Sequence, residues 1–108
     1  MRWFVYVAIT AKGSFYTGIS TDPERRVYEH NFTRKGAKCL RGQRPITLVW
    51  KNAYPASKSA ALSGEAFVKR MSRMEKLKFV LERCLISYEE LDELLFGAGE
   101  SRTRRSRV

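Results

Sequence analysis

Hydrophobic positions along this chain change their period several times, and each change marks an element. Trp3–Ile9 is dominated by aromatic and β-branched residues, which suit a pleated surface, and reads as a strand. Ala11-Lys12-Gly13 is turn chemistry, and strand character resumes over Ser14–Ile19. A three-residue loop with Gly13 in the left-handed region is a common hairpin connection. It pairs Thr10 with Ser14, Ala8 with Tyr16 and Tyr6 with Gly18. Side chains alternate along a strand, so this register puts Tyr6 and Tyr16 on one face. A two- or four-residue loop would separate them.

A helix start follows. Thr21-Asp22-Pro23-Glu24 offers either a Thr21…Glu24 capping box or Asp22 as N-cap with Pro23 at the first helical position. The helix is expected to run to about Asn31, with Arg26 and His30 four residues apart on one face and Val27 on a neighbouring stripe that can turn toward the core. Arg34–Arg44 holds five basic side chains (Arg34, Lys35, Lys38, Arg41 and Arg44), no acid and two glycines, the pattern of a basic loop with little apolar anchoring. After Pro45, the apolar run Ile46–Trp50 is expected to form a third, central strand.

Pro55 ends that segment, and Ser57 or Ser59 can open a second helix. Its buried stripe is Ala60, Ala61, Gly64, Phe67, Val68 and Met71, with Glu65 at the stripe's edge. The capping box Ser72…Glu75 opens a third helix with Leu77, Val80, Leu81 and Cys84 on its apolar face. Ser87…Glu90 repeats the device for a short fourth helix over 87–96, carrying Leu91, Leu94 and Leu95 and ended by Gly97. Beyond Gly97 the composition predicts disorder. The order β-β-α-β-α-α, with an extra C-terminal helix, describes an α+β domain: a small, mostly antiparallel three-stranded sheet flanked by helices.

A length of 108 residues favours one domain, and 44% hydrophobic content is enough for a packed core. No apolar run approaches the roughly 20 residues of a membrane span. Met1-Arg2-Trp3 leads straight into strand-like sequence without a secretory signal, so no membrane partner and a cytoplasmic location are expected. Cys39 and Cys84 lie far apart without Cys-x-x-Cys or His-Cys spacing, so two reduced thiols are expected rather than a zinc site.

Charge adds the first functional clue. The net charge is +10 and unevenly placed: residues 1–84 hold seventeen Lys/Arg against six acids. Residues 85–100 hold five acids and no base, and Ser101–Val108 adds four arginines. A basic body of this size suits a polyanion, DNA or RNA first. The bland alternative is a ribosome-associated or merely soluble basic protein.

The run Trp3-Phe4-Val5-Tyr6-Val7, the triplet Tyr16-Thr17-Gly18, then Arg26, His30 and Glu65-Ala66-Phe67-Val68-Lys69 resemble, in order and spacing, the GIY-YIG endonuclease superfamily. The first motif is Val5-Tyr6 without its glycine and the second is Tyr-Thr-Gly in place of Tyr-Ile-Gly; both keep the tyrosine. Arg26, eight residues past Gly18, is similar to the family's helix arginine, and Glu65 to its metal-binding glutamate. His30-Asn31, Gly36-Ala37-Lys38 and Arg44-Pro45 look most like the short stand-alone bacterial members and the nuclease domain of eukaryotic junction resolvases. The resemblance covers about residues 2–82. It divides the chain into a nuclease-like domain (1–84), a short acidic helix (85–97) and a disordered basic tail (98–108).

The resemblance implies phosphodiester hydrolysis on DNA, one strand at a time, on branched or damaged substrates in repair or recombination. One weakly bound Mg²⁺ or Mn²⁺ on Glu65 would serve as Lewis acid. Arg26 would hold the scissile phosphate through its planar fork. Of the two tyrosines, Tyr6 is assigned as proton acceptor, its phenolate favoured by Arg26, a lysine or a metal. Tyr16 would orient water or phosphate, and His30 would relay a proton or bind phosphate. Arg34, Lys35, Lys38, Arg41, Arg44 and Lys69 would contact nucleic acid, with the protein a monomer by default.

Each residue alone has a plainer reading. Paired tyrosines in strands are usually packing, Arg26 a solvated helix residue, and Glu65 a boundary carboxylate paired with Lys69 four residues on. The competing classes are a non-catalytic nucleic-acid-binding module on the same fold and a structural adaptor on RNA. A pure binder has no use for a carboxylate in a polyanion site, so the full set favours catalysis. The acidic helix either docks on the basic body or offers its leucines to a partner.

Overall fold

A computed structural model describes residues 2–54 and 57–97. Expected disorder after Gly97 concerns residues outside that range. Strands β1 (Trp3–Ile9), β2 (Phe15–Ser20) and β3 (Thr47–Tyr54) form one antiparallel sheet in the order β2-β1-β3. Helix α1 (Pro23–Phe32) and a 3₁₀ segment (Lys38–Gln43) lie between β2 and β3, and α2 (Lys58–Lys69), α3 (Arg73–Leu81) and α4 (Tyr88–Phe96) follow. This is the expected α+β architecture.

The hairpin has the expected register: Ala8 faces Tyr16 and Tyr6 faces Gly18. Gly13 takes φ +83°, and the loop closes by Thr10 N–H to Ser14 O at 2.8 Å and Gly13 N–H to Thr10 O at 2.9 Å. The Thr10 hydroxyl accepts from the Lys12 and Ser14 amides as well, and the Ala11 amide donates out of the turn to the Gln43 carbonyl at 2.9 Å.

The strand expected at the sheet's centre is at its edge. β1 is central, because Val5–Ile9 is buried on both faces, whereas Lys51 and Asn52 give β3 polar positions that tolerate an edge. On one face Val5, Val7 and Ile9 pack with Val49, Trp50, Ala61, Val68, Val80 and Leu91, so α2, α3 and α4 share one core. On the other, Ala8 packs with Leu40 and Ile46, flanked by Tyr16, Val27 and Ala37.

Helix starts follow local chemistry. Asp22, not the Thr21…Glu24 box, caps α1: its carboxylate accepts the Arg25 amide at 3.2 Å, with Pro23 opening the helix. Ser57 caps α2, and both reciprocal Ser/Glu boxes form at α3 and α4. Three further details differ from expectation. Phe67, placed on the buried stripe of α2, is 59% exposed; the helix enters the core through Ala61 and Val68 instead. Cys84 lies past the end of α3, still packed on the core. The basic loop is well anchored: Leu40, 2% exposed, plugs the second cluster. Asn31 also grips the Ile46 backbone with both ends of its amide, at 2.7 and 3.0 Å. The acidic helix docks, with Leu91 in the main core.

Candidate active site

Hairpin parity, one helix and one loop build the site. Tyr6 and Tyr16 project from the same sheet face with ring centroids 6.2 Å apart. Gly18 sits opposite Tyr6, whose ring crosses its α-carbon; a Cβ there would be 2.7 Å from the phenol oxygen. The glycine of the second motif is therefore a space requirement for the tyrosine of the first. Thr17, between the two site-facing residues, points to the opposite, core face, where its hydroxyl is buried without a hydrogen-bond partner.

From α1, His30 reaches under both tyrosines. Its Nε2 lies 2.9 Å from the Tyr6 hydroxyl, and its ring meets Tyr16 edge-on at 5.4 Å. The Ala37 amide donates to His30 Nδ1 at 3.0 Å. Nδ1 is thus the acceptor of a neutral imidazole, so Nε2 carries the proton and donates to the Tyr6 oxygen. Gly36 passes so close that a Cβ would lie 2.6 Å from the His30 α-carbon. His30 is 1% exposed, and its pKa is lowered to about 4, first by burial and then by Arg26.

Arg26 lies one turn earlier on α1, held at one nitrogen by the Glu29 carboxylate (3.0 Å) and the Lys35 carbonyl (2.9 Å). Glu29 is in turn held below its ordinary range, first by that bond to Arg26. A guanidinium tethered on one edge keeps its remaining donors in a fixed direction. Its charge acts on both tyrosines, as does that of Glu65 from α2. Glu65 is 18% exposed and pairs with Lys69 at 3.4 Å, which also satisfies the plain reading of that carboxylate.

The electrostatics distinguish the two tyrosines. Tyr6 does not favour its phenolate: burial, and then Tyr16, push its pKa well above the ordinary phenol range, and the pull of Arg26 is too small to compensate. Tyr16 is also raised, first by burial and then by the Cys39 thiol, but it is only half-buried and the Tyr6 hydroxyl lowers it. The polar chain His30–Tyr6–Tyr16 thus runs from the interior toward solvent and ends at Tyr16.

Around this centre, Arg34, Lys35, Lys38 and Arg41 are exposed as expected of phosphate contacts, and Lys69 is exposed but tied to Glu65. Arg44 is turned inward: it donates to the Thr33 carbonyl at 2.9 Å, and its Nε is buried without a partner. Gly36, Ala37 and Asn31, which fix His30 and the loop, stood out in the sequence only through the family resemblance, not through a chemical role. Among the described residues no group of three or more His, Cys, Asp or Glu gathers as a metal cage. No described helix is long and apolar enough to cross a membrane.

Comparison with known proteins places this geometry. The GIY-YIG catalytic domain family matches residues 2–78. A UPF0213 protein of Aeromonas hydrophila is 47% identical over 75 residues, 69% of this chain and 54% of that protein, so the chain spans about half that relative's length. A UPF0213 protein of Sodalis glossinidius is 40% identical over 105 residues, 95% of each chain. Among solved structures, the solution NMR structure of a UPF0213 protein from Bacillus halodurans is 39% identical, with 87% of this chain and 97% of that one covered and a TM-score of 0.52.

Proposed function

Because the chain belongs to the GIY-YIG catalytic domain family, a nuclease superfamily, we propose that it is a metal-dependent endonuclease that hydrolyses DNA phosphodiesters one strand at a time. The observation that supports this best is the cluster of Tyr6, Tyr16 and His30 on one sheet face, with Arg26 one turn away on α1 and the Glu65 charge acting on both tyrosines from α2.

The roles follow from the geometry. Arg26, tethered by Glu29 and Lys35, offers its free donors to the scissile phosphate and to the charge that grows on it in the transition state. Tyr16, at the solvent end of the polar chain, first gives its own proton to solvent, and its phenolate then takes the proton from the attacking water. Tyr6 stays protonated and steadies the Tyr16 phenolate as it forms, while neutral His30 fixes Tyr6 through Nε2–H. A single half-buried carboxylate fits a weakly held, largely hydrated Mg²⁺ or Mn²⁺, with Glu65 as its protein ligand. Bound there, the ion would supply Lewis-acid stabilisation of the departing 3′-oxygen. Lys69, now paired with Glu65, would be released to a phosphate when the carboxylate takes the ion. Branched or damaged DNA is the proposed substrate.

The deciding experiment incubates the protein with junction, flap and linear DNA in Mg²⁺, Mn²⁺ or EDTA, alongside Glu65→Gln. Nicking that needs metal and falls to background in Glu65→Gln, with metal-free DNA binding unchanged or slightly tighter, is expected. Equal cleavage by wild type and variant removes Glu65 from the mechanism. Binding without any cleavage, in either protein, leaves the non-catalytic module.

A further inference from the structure

The outward face of α1 carries a feature that cleavage chemistry does not use. Tyr28 and Phe32 are 58% and 69% exposed and lie against each other, ring centroids 4.9 Å apart and planes tilted by 44°. They follow Arg25 at helical spacing, so all three share the stripe opposite Arg26 and His30. Neither ring joins either hydrophobic cluster of the described residues. Two adjacent aromatic faces are thus held in water without serving the fold.

Charge says what would cover them. From Arg25 to Arg44 there are seven Lys/Arg and one acid, Glu29, which is already engaged by Arg25 and Arg26. Phe32 leads within three residues into exposed Arg34 and Lys35, and the Arg25 side chain is 70% exposed. Other exposed aromatics lie in different company: Phe67, between α2 and α3, has Glu75 and Glu82 beside Arg70 and Lys78, and Tyr88 and Phe96 are on the acidic helix α4. A cationic surface with bare π-faces is the make-up of a stacking platform for nucleic-acid bases.

We propose that Tyr28 and Phe32 form a stacking site for unpaired bases, with Arg25, Arg34 and Lys35 holding the flanking phosphates. The ligand is a single-stranded segment, because a duplex keeps its base faces inside its own stack. This rests on the nuclease reading and narrows it: the substrate is DNA with a single-stranded part that passes from the Arg26 side of α1 round to its outer face.

Binding of a fluorescein-labelled oligothymidylate and of a blunt duplex of equal length tests this, with Tyr28→Ala/Phe32→Ala beside Tyr28→Phe/Phe32→Tyr. The alanine variant should lose single-strand affinity by roughly 5- to 150-fold for each base unstacked. Its duplex affinity should change by less than about twofold, and the aromatic variant should bind like wild type. Photocrosslinking of the unaltered protein to an iodouracil-substituted strand, read by mass spectrometry, should place the adduct on Tyr28 or Phe32. Equal losses on both DNA forms, no loss on the single strand, or adducts only elsewhere overturns the platform. So does a change of oligomeric state in the alanine variant without loss of single-strand affinity, which would make the stripe a protein contact. Metal-dependent cleavage of junctions by an alanine variant with wild-type single-strand binding would sink the platform and leave the nuclease. Wild type that neither binds nor cuts any DNA sinks both.

Discussion

At the scale of single residues, the site depends on atoms that are missing as much as on those present. Gly18 lets the Tyr6 ring cross β2, and Gly36 lets the loop reach the His30 α-carbon. Gly18→Ala should displace Tyr6 and lower the cleavage rate while leaving far-ultraviolet circular dichroism unchanged, since the clash is with one side chain and not with the backbone. Arg26→Ala should lower kcat by about 10²–10³, the loss of roughly 3–4 kcal/mol of transition-state stabilisation, with its fold intact. Single-turnover rates beside a thermal melt decide it: an unfolded variant would make Arg26 structural instead. Thr17 lies on the far face with a buried, unpartnered hydroxyl, so Thr17→Val should stabilise the protein by about 1 kcal/mol without touching activity. His30 sets an acid limit. Its folded pKa of about 4 lies below the ordinary 6.5, so between those values the unfolded chain binds a proton that the folded one refuses. Stability should be full above pH ~6.5 and fall by on the order of 3 kcal/mol as pH drops toward 4, read from urea midpoints. A pH-independent midpoint across that window would mean that His30 is not held neutral. Cleavage should instead climb toward alkaline pH, because Tyr16 titrates above its ordinary range.

At the scale of elements, signals confined to a few neighbouring residues were legible, and signals that depend on distant partners were not. Loop length alone fixed the hairpin register, and with it the shared face of Tyr6 and Tyr16, because strand geometry has a strict two-residue period. Asp22-Pro23 announced one helix start through a cap and a proline, and Ser72…Glu75 and Ser87…Glu90 announced two more through reciprocal capping. β3 misled because an apolar run records burial but not neighbours, and this strand buries Val49 and Trp50 from the sheet's edge. Leu40 was hidden among basic residues, where one apolar side chain has no period to reveal it. The burial that raises the Tyr6 pKa was hidden for the same kind of reason, since depth is a property of the assembled core. The acidic helix offers a test at this scale. Leu91 is 3% exposed in the main core, so Leu91→Ala should cost about 2–4 kcal/mol in urea unfolding. A loss below ~0.5 kcal/mol would mean that α4 contributes little to that core.

At the scale of the whole molecule, charge and shape act together on a polyanion. Net charge is +10, and the acids of α4 sit on the helix that follows the core, whereas the lysines and arginines of the 34–44 segment border the site. Binding energy should therefore come mainly from released counterions, with the loop, Arg25 and Arg26 contacting phosphates and Arg44 contributing little while it is held by Thr33. With four to six phosphates neutralised, log affinity for duplex DNA should fall against log salt with a slope of about −4 to −5. Replacing Arg34, Lys35, Lys38 and Arg41 together by Gln should reduce the steepness of that slope by about 3, while Arg44→Gln should leave it nearly unchanged. Deleting Ser101–Val108, with its four arginines, should weaken binding and flatten the slope without abolishing cleavage. These variants separate two ways in which a basic protein can hold DNA. If charge acts only as a diffuse field, every removed cation should flatten the slope alike, Arg44 included. If the 3₁₀ loop positions its cations against a backbone, the four exposed side chains should carry most of the slope. The same variant should then also cleave more slowly at saturating DNA, because the strand is no longer held in register with Arg26 and Tyr16.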